Sequence, residues 1–182
     1  MKQIKIYTAT KGKKEDCDLY KSVNDSIEVH YEENNKESLH KVYNKFIDNA
    51  RSTNVDIAVF IHDDVIINTG DFMDRLNASA ERFPVFGLAG ATTCKVGIPA
   101  LWHLMSKRQD QRGCVAHGQR DSYCYTSFGP INSRVLVIDG VLIGININEL
   151  PVDVRFDESY PSKFHYYDLD FSLNCNRNKV KI

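Results

Sequence analysis

Two short segments of the sequence combine carboxylates with a histidine in spacings that could do chemistry. The first is His62-Asp63-Asp64, which directly follows the apolar run of residues 56–61. Two adjacent carboxylates repel each other unless a cation offsets their charge. A hard divalent cation would do so and would also bind the oxygens of a diphosphate. The segment therefore indicates a metal-assisted site for a phosphorylated ligand, and the alternative is a polar turn or an N-cap of the next helix.

The second segment places Asp168 and Asp170 beside His165, among aromatic residues and at the start of a helix predicted at 167–177. Side chains two positions apart in a helix point to different faces. One carboxylate could therefore face a cleft and accept a proton, while the other ties the helix down. The alternative is that both aspartates only cap the helix or interact with its dipole.

The apolar pattern of the first half indicates the elements that must position the first segment. The nearly continuous apolar run at 56–61 is typical of a strand buried on both faces of a parallel sheet. Strands and helices alternate up to residue 90, which indicates an α/β sheet with right-handed crossovers. Ligands bind such sheets beyond the carboxyl ends of the strands, where this segment falls. The predicted strands are 3–8, 26–31, 56–61 and 84–90, and the predicted helices are 37–52 and 70–82.

The second half has a weaker pattern. Residues 91–132 mix glycine, proline, aromatic and polar residues without a clear period and are predicted to be rich in loops. Two strands are predicted at 134–138 and 141–147, around Asp139-Gly140. They would form either a hairpin with a type I′ turn or one bent strand.

Length and composition indicate a single globular domain over residues 1–182. The net charge of −1 argues against nucleic acid as a partner, because nucleic-acid-binding domains usually carry a basic surface. The five cysteines form no C-x₂-C pair and no signal peptide precedes the first strand, so we expect reduced thiols in a cytoplasmic protein. The most apolar run, residues 135–147, is interrupted by Asp139 and too short to span a bilayer, so any membrane contact would be peripheral.

Four motifs, in order along nearly the whole chain, resemble family 2 glycosyltransferases of the GT-A fold. The resemblance is greatest to the subgroup that includes a domain of a streptomycin-biosynthesis protein. It implies an α/β fold with a mostly parallel central sheet flanked by helices and a small antiparallel part in the second half. Residues 1–90 would then bind the nucleotide-sugar, and residues 91–182 would form the acceptor side. The motifs are VFIHDDV at 59–65, GLAG at 87–90 followed by Trp102 and GCVAHG at 113–118, VLVIDGVLI at 135–143, and FDE at 156–158 with FHYYDLDFSL at 164–173.

The resemblance implies a nucleotide-diphospho-sugar donor, with a UDP-sugar as the default, bound together with Mn²⁺ or Mg²⁺. Asp64 matches the metal-binding last Asp of the family's D-x-D motif, and Asp63 matches its variable middle position. His62 stands where many relatives have the first Asp, and His165 is implied as an extra metal ligand. The residues that match the loops for the nucleotide are Thr8, Ala9 and Thr10 after the first strand and Glu32 or Glu33 after the second.

The same resemblance assigns the acceptor chemistry. Asp168 matches the second residue of the family's "ED" motif, whose Asp acts as base, and Tyr167 replaces the Glu. A single base opposite the leaving group implies direct displacement, with inversion, by the hydroxyl of an unidentified acceptor. Asp139 and Gly140 would line the acceptor side, and the alternative is a turn between strands. Trp102 would either stack on a sugar or fill the core.

Other interpretations stay open at this point. Relatives usually continue with a further strand, whereas residues 179–182 resemble only the beginning of one. A shortened domain could bind a nucleotide-sugar without transferring it, or act as a scaffold in polysaccharide biosynthesis. A sugar-1-phosphate nucleotidyltransferase shares the architecture but needs a G-x-G-T-R-type loop, and residues 8–14 contain one Gly and no Arg. A pure protein-interaction domain would not need two acidic clusters at strand ends.

Overall fold

A computed structural model describes residues 2–24, 27–95 and 102–182 of the chain. Helices at Leu39–Ser52, Phe72–Ala80 and Tyr167–Arg177 confirm the predicted helices, and the first two are slightly shorter than expected. The predicted strand 26–31 is observed from residue 29, and residue 26 lies outside the described residues. The strands are β1 (Ile4–Ala9), β2 (Val29–Glu32), β3 (Ile57–Ile61), β4 (Val85–Gly87), β5 (Ala89–Ala91), β6 (Gln111–Gln119), β7 (Ser122–Ser127), β8 (Val137–Ile138) and β9 (Leu142–Asn146). The α-helices are α1 (Asp18–Ser22), α2 (Leu39–Ser52), α3 (Phe72–Ala80), α4 (Trp102–Met105) and α5 (Tyr167–Arg177), and 3₁₀ helices lie at Lys14–Asp16 and Arg108–Asp110.

The larger sheet has the strand order β2-β1-β3-β9-β4. Strand β1 pairs in parallel with β2 and β3, whereas β9 is antiparallel to both β3 and β4. The sheet is therefore mixed, and the prediction of a mostly parallel sheet is wrong. A continuous apolar run such as β9 fits a central strand in either direction, so its composition does not fix its polarity. The antiparallel pairing of β3 with β9 continues one residue further, where the amide of His62 donates to the carbonyl of Val141 (3.2 Å).

The segment predicted as one strand at 84–90 is divided between two sheets. Strand β4 pairs with β9 in the larger sheet, and after Leu88 the chain continues as β5, which pairs with β6 and β8. A Cβ at Gly90 would lie 2.1 Å from the carbonyl oxygen of Val137, so only glycine permits this close pairing. The segment 87–90 therefore carries the chain from one sheet to the other.

The smaller sheet is antiparallel throughout, with the order β7-β6-β5-β8. Its long β6–β7 hairpin lies in the region predicted to be loop-rich, of which residues 96–101 lie outside the described residues. The two-residue turn, Arg120-Asp121, contains none of the Gly or Asn residues that signal a hairpin, which is why the sequence pattern missed it. Strands β8 and β9 occur near the predicted 134–138 and 141–147 but lie in different sheets, so they form neither a hairpin nor one bent strand.

Hydrophobic clusters cover both faces of the larger sheet. On one face Tyr43 and Phe46 of α2 and Phe171 of α5 pack against Tyr7 and Phe60 of the sheet. On the other face α1 and α3 contribute to a second cluster. All five residues of β3 are buried, which confirms the expected burial of this strand on both faces, although the sheet around it is mixed. None of the described helices is long and apolar enough to cross a membrane.

We predict that Gly144→Ala destabilises the protein, because this position in β9 lies under the ring of Phe86. A Cβ there would lie 2.1 Å from the Phe86 ring. Overpacking of this kind typically costs about 1–3 kcal/mol of unfolding free energy. Urea unfolding followed by circular dichroism would measure the loss.

Gly70→Ala is the matched control, since no heavy atom lies within 4 Å of a Cβ at that position. Its unfolding free energy should stay within about 1 kcal/mol of the wild type. Equal destabilisation by both substitutions would contradict the packing of β9 against Phe86.

Candidate functional site

The residues predicted to bind the nucleotide lie together at the carboxyl ends of β1 and β2. Ala9 and Glu32 are register partners across the two parallel strands. The amide of Thr10 donates to the carbonyl of Glu32 (3.0 Å), and the carbonyl of Thr10 accepts from the amide of Asn35 (2.8 Å). The Thr10 hydroxyl accepts from the amide of Gly12, so this side chain is used to shape the loop.

Two buried hydroxyl groups lie at these strand ends without a hydrogen-bond partner among the described residues. They are Thr8 Oγ1 and the Tyr31 hydroxyl, and the two residues are register partners in β1 and β2. Buried polar atoms in native proteins are almost always paired, so such atoms need a water or a ligand group to satisfy them. Tyr31 was not singled out from the sequence, since its place in an alternating strand gave no sign of a special role.

Asp63 and Asp64 follow β3 but face different surroundings. The carbonyl of Asp63 accepts from the amide of Leu19 in α1 (3.1 Å), so the backbone of Asp63 lies beside α1, and Asp63 is not part of the cleft lining. Asp64 is exposed and lines a cleft that Asp139 also lines. The structure therefore separates the two adjacent carboxylates. Of the two, only Asp64 lines the cleft, together with Asp139 from the second half of the chain.

His62 is held by the first residue of α5. Its Nε2 atom forms a short hydrogen bond with the Tyr167 hydroxyl. Burial lowers the pKa of His62 and raises the pKa of Tyr167 well above its usual value, so both partners are neutral at pH 7. The contact uses one of the two ring nitrogens of His62. His62 therefore serves first as the anchor between β3 and α5.

Gly140 makes this contact possible. A Cβ at position 140 would lie 2.0 Å from the Tyr167 hydroxyl oxygen. The Gly140 amide donates to Asp168 Oδ2 (3.0 Å), and the amide of Leu169 donates to Asp168 Oδ1 (2.8 Å). The predicted base is thus tied to the Asp139-Gly140 turn as well as to the start of its own helix. Burial raises the pKa of Asp168 to about 6, with Asp139 adding to the rise.

Asp139 lies in front of Asp168, at the cleft. Its Oδ2 accepts from the indole nitrogen of Trp102 (2.6 Å), and its Oδ1 accepts from the amide of Val141 (2.9 Å). Trp102 is buried and packs against Phe128 with ring centroids 5.0 Å apart. Of the two roles considered for Trp102, filling the core is therefore observed, and the same ring orients the Asp139 carboxylate.

Asp170 and His165 are not brought to this cluster. Asp170 Oδ2 accepts from the amide of Asp157 (3.1 Å), so this carboxylate ties the preceding loop to α5. His165 is exposed and contacts the rings of Phe164 and Tyr166. Within residues 2–24, 27–95 and 102–182, no three His, Cys, Asp or Glu side chains converge in the manner of a metal site.

The cleft has a volume of about 580 Å³ and lies between the ends of the larger sheet and the β6–β7 hairpin. One wall carries Asp64, Asp139 and Trp102, all singled out from the sequence. The facing wall carries residues that sequence reasoning did not assign to the site, namely His117, Gln119, Arg120, Tyr123 and Tyr125. The pattern SYCYTS at 122–127 was the one sequence signal for a strand in this region. No recognisable turn residues precede it, so a hairpin was not predicted.

These features define a class of protein: a mixed α/β domain with acidic residues gathered at strand ends beside a cleft. The sequence model described as a glycosyltransferase like family matches residues 21–182, and the chain therefore belongs to this family. The match supports the resemblance to family 2 glycosyltransferases at the level of the family and does not distinguish a subgroup. The loop at 8–10 precedes the matched region.

Among solved structures, the chain is similar to the crystal structure of A197 from STIV. The TM-score is 0.52 with 13% identity, over 93% of this chain and 76% of that chain. At this identity the likeness concerns the fold alone. A search of curated proteins found no match.

We predict that Asp168→Asn changes the pH dependence of stability. The pKa of Asp168 is about 6 in the fold, against a usual value of 3.8, so the native state holds its proton more tightly than the unfolded state. Stability from this group is full below pH 4 and is lost as pH rises from about 4 to 6. An asparagine at this position does not titrate, so the variant does not lose this stability as the pH rises. Relative to the wild type, the variant should therefore gain up to about 3 kcal/mol between pH 4 and pH 7 in urea unfolding. A stability difference that does not vary with pH would show that the carboxyl is not perturbed.

Proposed function

We propose that this domain transfers a sugar from a nucleotide-diphospho-sugar to an acceptor hydroxyl, with inversion and with the help of a divalent cation. Membership of the glycosyltransferase-like family supports the transferase class. The observation that carries the proposal is that Asp64, beside the nucleotide side, and Asp139, in the second half, line one cleft. In a transfer reaction the leaving group and the acceptor must be held next to each other, and a cleft lined by residues of both halves can do this.

Asp64 is the residue that would hold the cation. Mg²⁺ and related ions are commonly bound by one or two carboxylates together with substrate phosphates, rather than by an all-protein cage. An exposed Asp64 carboxylate that lines the cleft fits a cation that is bound jointly with the nucleotide. Bound there, Mn²⁺ or Mg²⁺ would offset the charge that develops on the departing diphosphate.

The β1 and β2 strand ends would receive the nucleotide. Thr8 and Tyr31 carry two buried hydroxyl groups that lack hydrogen-bond partners among the described residues. A ribose or a base could supply those hydrogen-bond partners. Glu32 ends β2 directly after Tyr31, and Asp63 follows β3, the strand on the other side of β1. A UDP-sugar remains the default donor, by the resemblance set out above.

Asp168 is the proposed base, and its surroundings give it a suitable pKa. A base works best when its pKa lies near the working pH, and burial brings Asp168 to about 6. Its hydrogen bond to the Gly140 amide places it directly behind Asp139. Asp139 is the second candidate, because it is the carboxylate that lines the cleft.

Nucleotide binding is tested by thermal unfolding with UDP and other nucleoside diphosphates, with and without Mn²⁺. A ligand that binds only the native state stabilises it by about 2.7 kcal/mol at a concentration of 100 times Kd. We expect UDP with Mn²⁺ to raise the melting temperature, and Asp64→Ala to remove the metal-dependent part. The control is Asp74→Ala, an exposed carboxylate of α3 that lies outside the cleft lining. A shift that persists in Asp64→Ala would remove Asp64 from the metal site.

Asp168→Asn should lower kcat/KM by about 10²–10⁴-fold, the usual contribution of a positioned base. In the wild type, kcat/KM should rise with pH through about 6, as Asp168 loses its proton, and this limb should vanish in the variant. Asp139→Asn should cause a smaller loss and keep the limb. The reverse pattern would assign the base to Asp139. Nucleotide binding without turnover on any acceptor would instead identify a non-transferring nucleotide-sugar-binding domain.

A further inference from the structure

The β6–β7 hairpin carries two exposed tyrosines for which the proposed transfer chemistry has no use. Tyr123 is 47% exposed and Tyr125 is 71% exposed. Their ring centroids are 5.4 Å apart and the ring planes meet at 84°. The pair therefore forms an open aromatic corner at the surface, and clustered exposed aromatic residues commonly mark a binding site.

The cross-strand partners of both tyrosines are small. Gly118 lies opposite Tyr123, and Ala116 lies opposite Tyr125. Directly opposed residues of an antiparallel pair share one face of the sheet, so a larger partner would cover the rings. Gly118 has a φ of +130°, and a Cβ there would lie 2.4 Å from the carbonyl oxygen of Ser122. Only glycine fits at position 118, so no side chain from this residue covers the Tyr123 ring.

The aromatic corner belongs to the same cleft as the acidic residues. Tyr123 and Tyr125 line it together with Asp64 and Asp139. Its volume of about 580 Å³ lies within the range of small-molecule sites. The aromatic pair thus stands where the group that receives the sugar would have to approach.

The lining of the cleft combines apolar residues, among them Val115 and Phe128, with polar side chains of the hairpin. His117 and Gln119 alternate with Ala116 and Gly118 along β6, so they lie on the face opposite the two rings, and they line the cleft together with Arg120 of the turn. The Asn68 side chain donates to the carbonyl of Arg120 (3.2 Å), which links the hairpin tip to the loop after β3. A lipid chain would leave these polar groups unpaired, and this would cost binding free energy.

A saccharide matches both properties of this wall. One face of a pyranose ring presents C–H bonds with partial positive charge, which suit the negative face of an aromatic ring. Its hydroxyl groups need donors and acceptors at the ring edge, which imidazole, amide and guanidinium groups supply. Two rings at nearly a right angle can contact successive sugar units of a bent chain.

We propose that the β6–β7 hairpin is a saccharide-binding element and that the acceptor is a carbohydrate chain that stacks on Tyr123 and Tyr125. The identity of the acceptor rests on the proposed glycosyl transfer, whereas saccharide binding by the hairpin does not. The two can therefore be tested separately.

The test uses Trp102, the single tryptophan of the chain, which lines the same cleft. Its fluorescence is followed while maltotetraose, cellotetraose and chitotetraose are added to the nucleotide-free protein. At least one of them should bind with a Kd of about 1 mM or tighter. Replacing both tyrosines, Tyr123→Ala with Tyr125→Ala, should weaken binding at least about tenfold.

Two control variants separate stacking from other effects. Tyr123→Phe with Tyr125→Phe keeps the rings and should bind within about threefold of the wild type. Tyr20→Ala removes an exposed tyrosine of α1 that does not line the cleft, and its affinity should equal that of the wild type. Circular dichroism of each variant checks that the fold is retained.

The outcomes distinguish this proposal from the function itself. Saccharide binding that depends on the two rings, without nucleotide binding, would support the hairpin's role and remove the glycosyl transfer. Nucleotide binding with no response to any of the three saccharides, or with equal affinity in the double alanine variant, would overturn the carbohydrate acceptor. In that case turnover with a lipid or peptide hydroxyl would identify the acceptor class.

Discussion

The Tyr167 hydroxyl occupies the space that a side chain at position 140 would need, and the two halves of the domain meet around this contact. A Cβ on Gly140 would approach the hydroxyl oxygen to 2.0 Å, so glycine is required there. The same hydroxyl bonds His62 at the end of β3. One hydrogen bond therefore fixes the end of the central strand, the turn before β9 and the first residue of α5.

This contact determines where the acidic residues lie. Because Tyr167 begins α5, the next residue, Asp168, reaches the Gly140 amide. The turn then projects Asp139 into the cleft, where Trp102 orients its carboxylate. Burial keeps the His62 imidazole and the Tyr167 phenol neutral, so the junction is held without a buried charge. Burial instead disfavours the charged form of Asp168. Its raised pKa, about 6, lies in the range that suits a general base.

The cleft joins two surfaces of different chemistry. The strand ends of the larger sheet supply carboxylates that suit a cation and a diphosphate, whereas the smaller antiparallel sheet supplies tyrosines and polar side chains. The proposed sugar transfer would use both, since its donor would be highly charged and its acceptor would be oriented by weaker contacts. Leu88, between β4 and β5, is the point where the chain passes from one surface to the other.

The sequence by itself indicated the strands and the two longer helices of the first half up to residue 83, and it placed His62-Asp63-Asp64 at a strand end. The apolar run before His62 is typical of a buried strand, and polar residues that follow such a strand lie at the edge of the sheet. The helix predicted at 167–177 is observed with the same bounds. The family resemblance was also readable from motif order, and the family match over residues 21–182 supports it.

Only the tertiary structure decided the direction of β9, the division of 84–90 between two sheets and the existence of the β6–β7 hairpin. Each depends on pairing between residues far apart in the chain, and local periodicity carries no information about the partner. The separation of Asp63 from Asp64 and the linkage of Asp168 to Gly140 have the same origin. A carboxylate's role is set by the groups that surround it, and those groups come from other strands and helices.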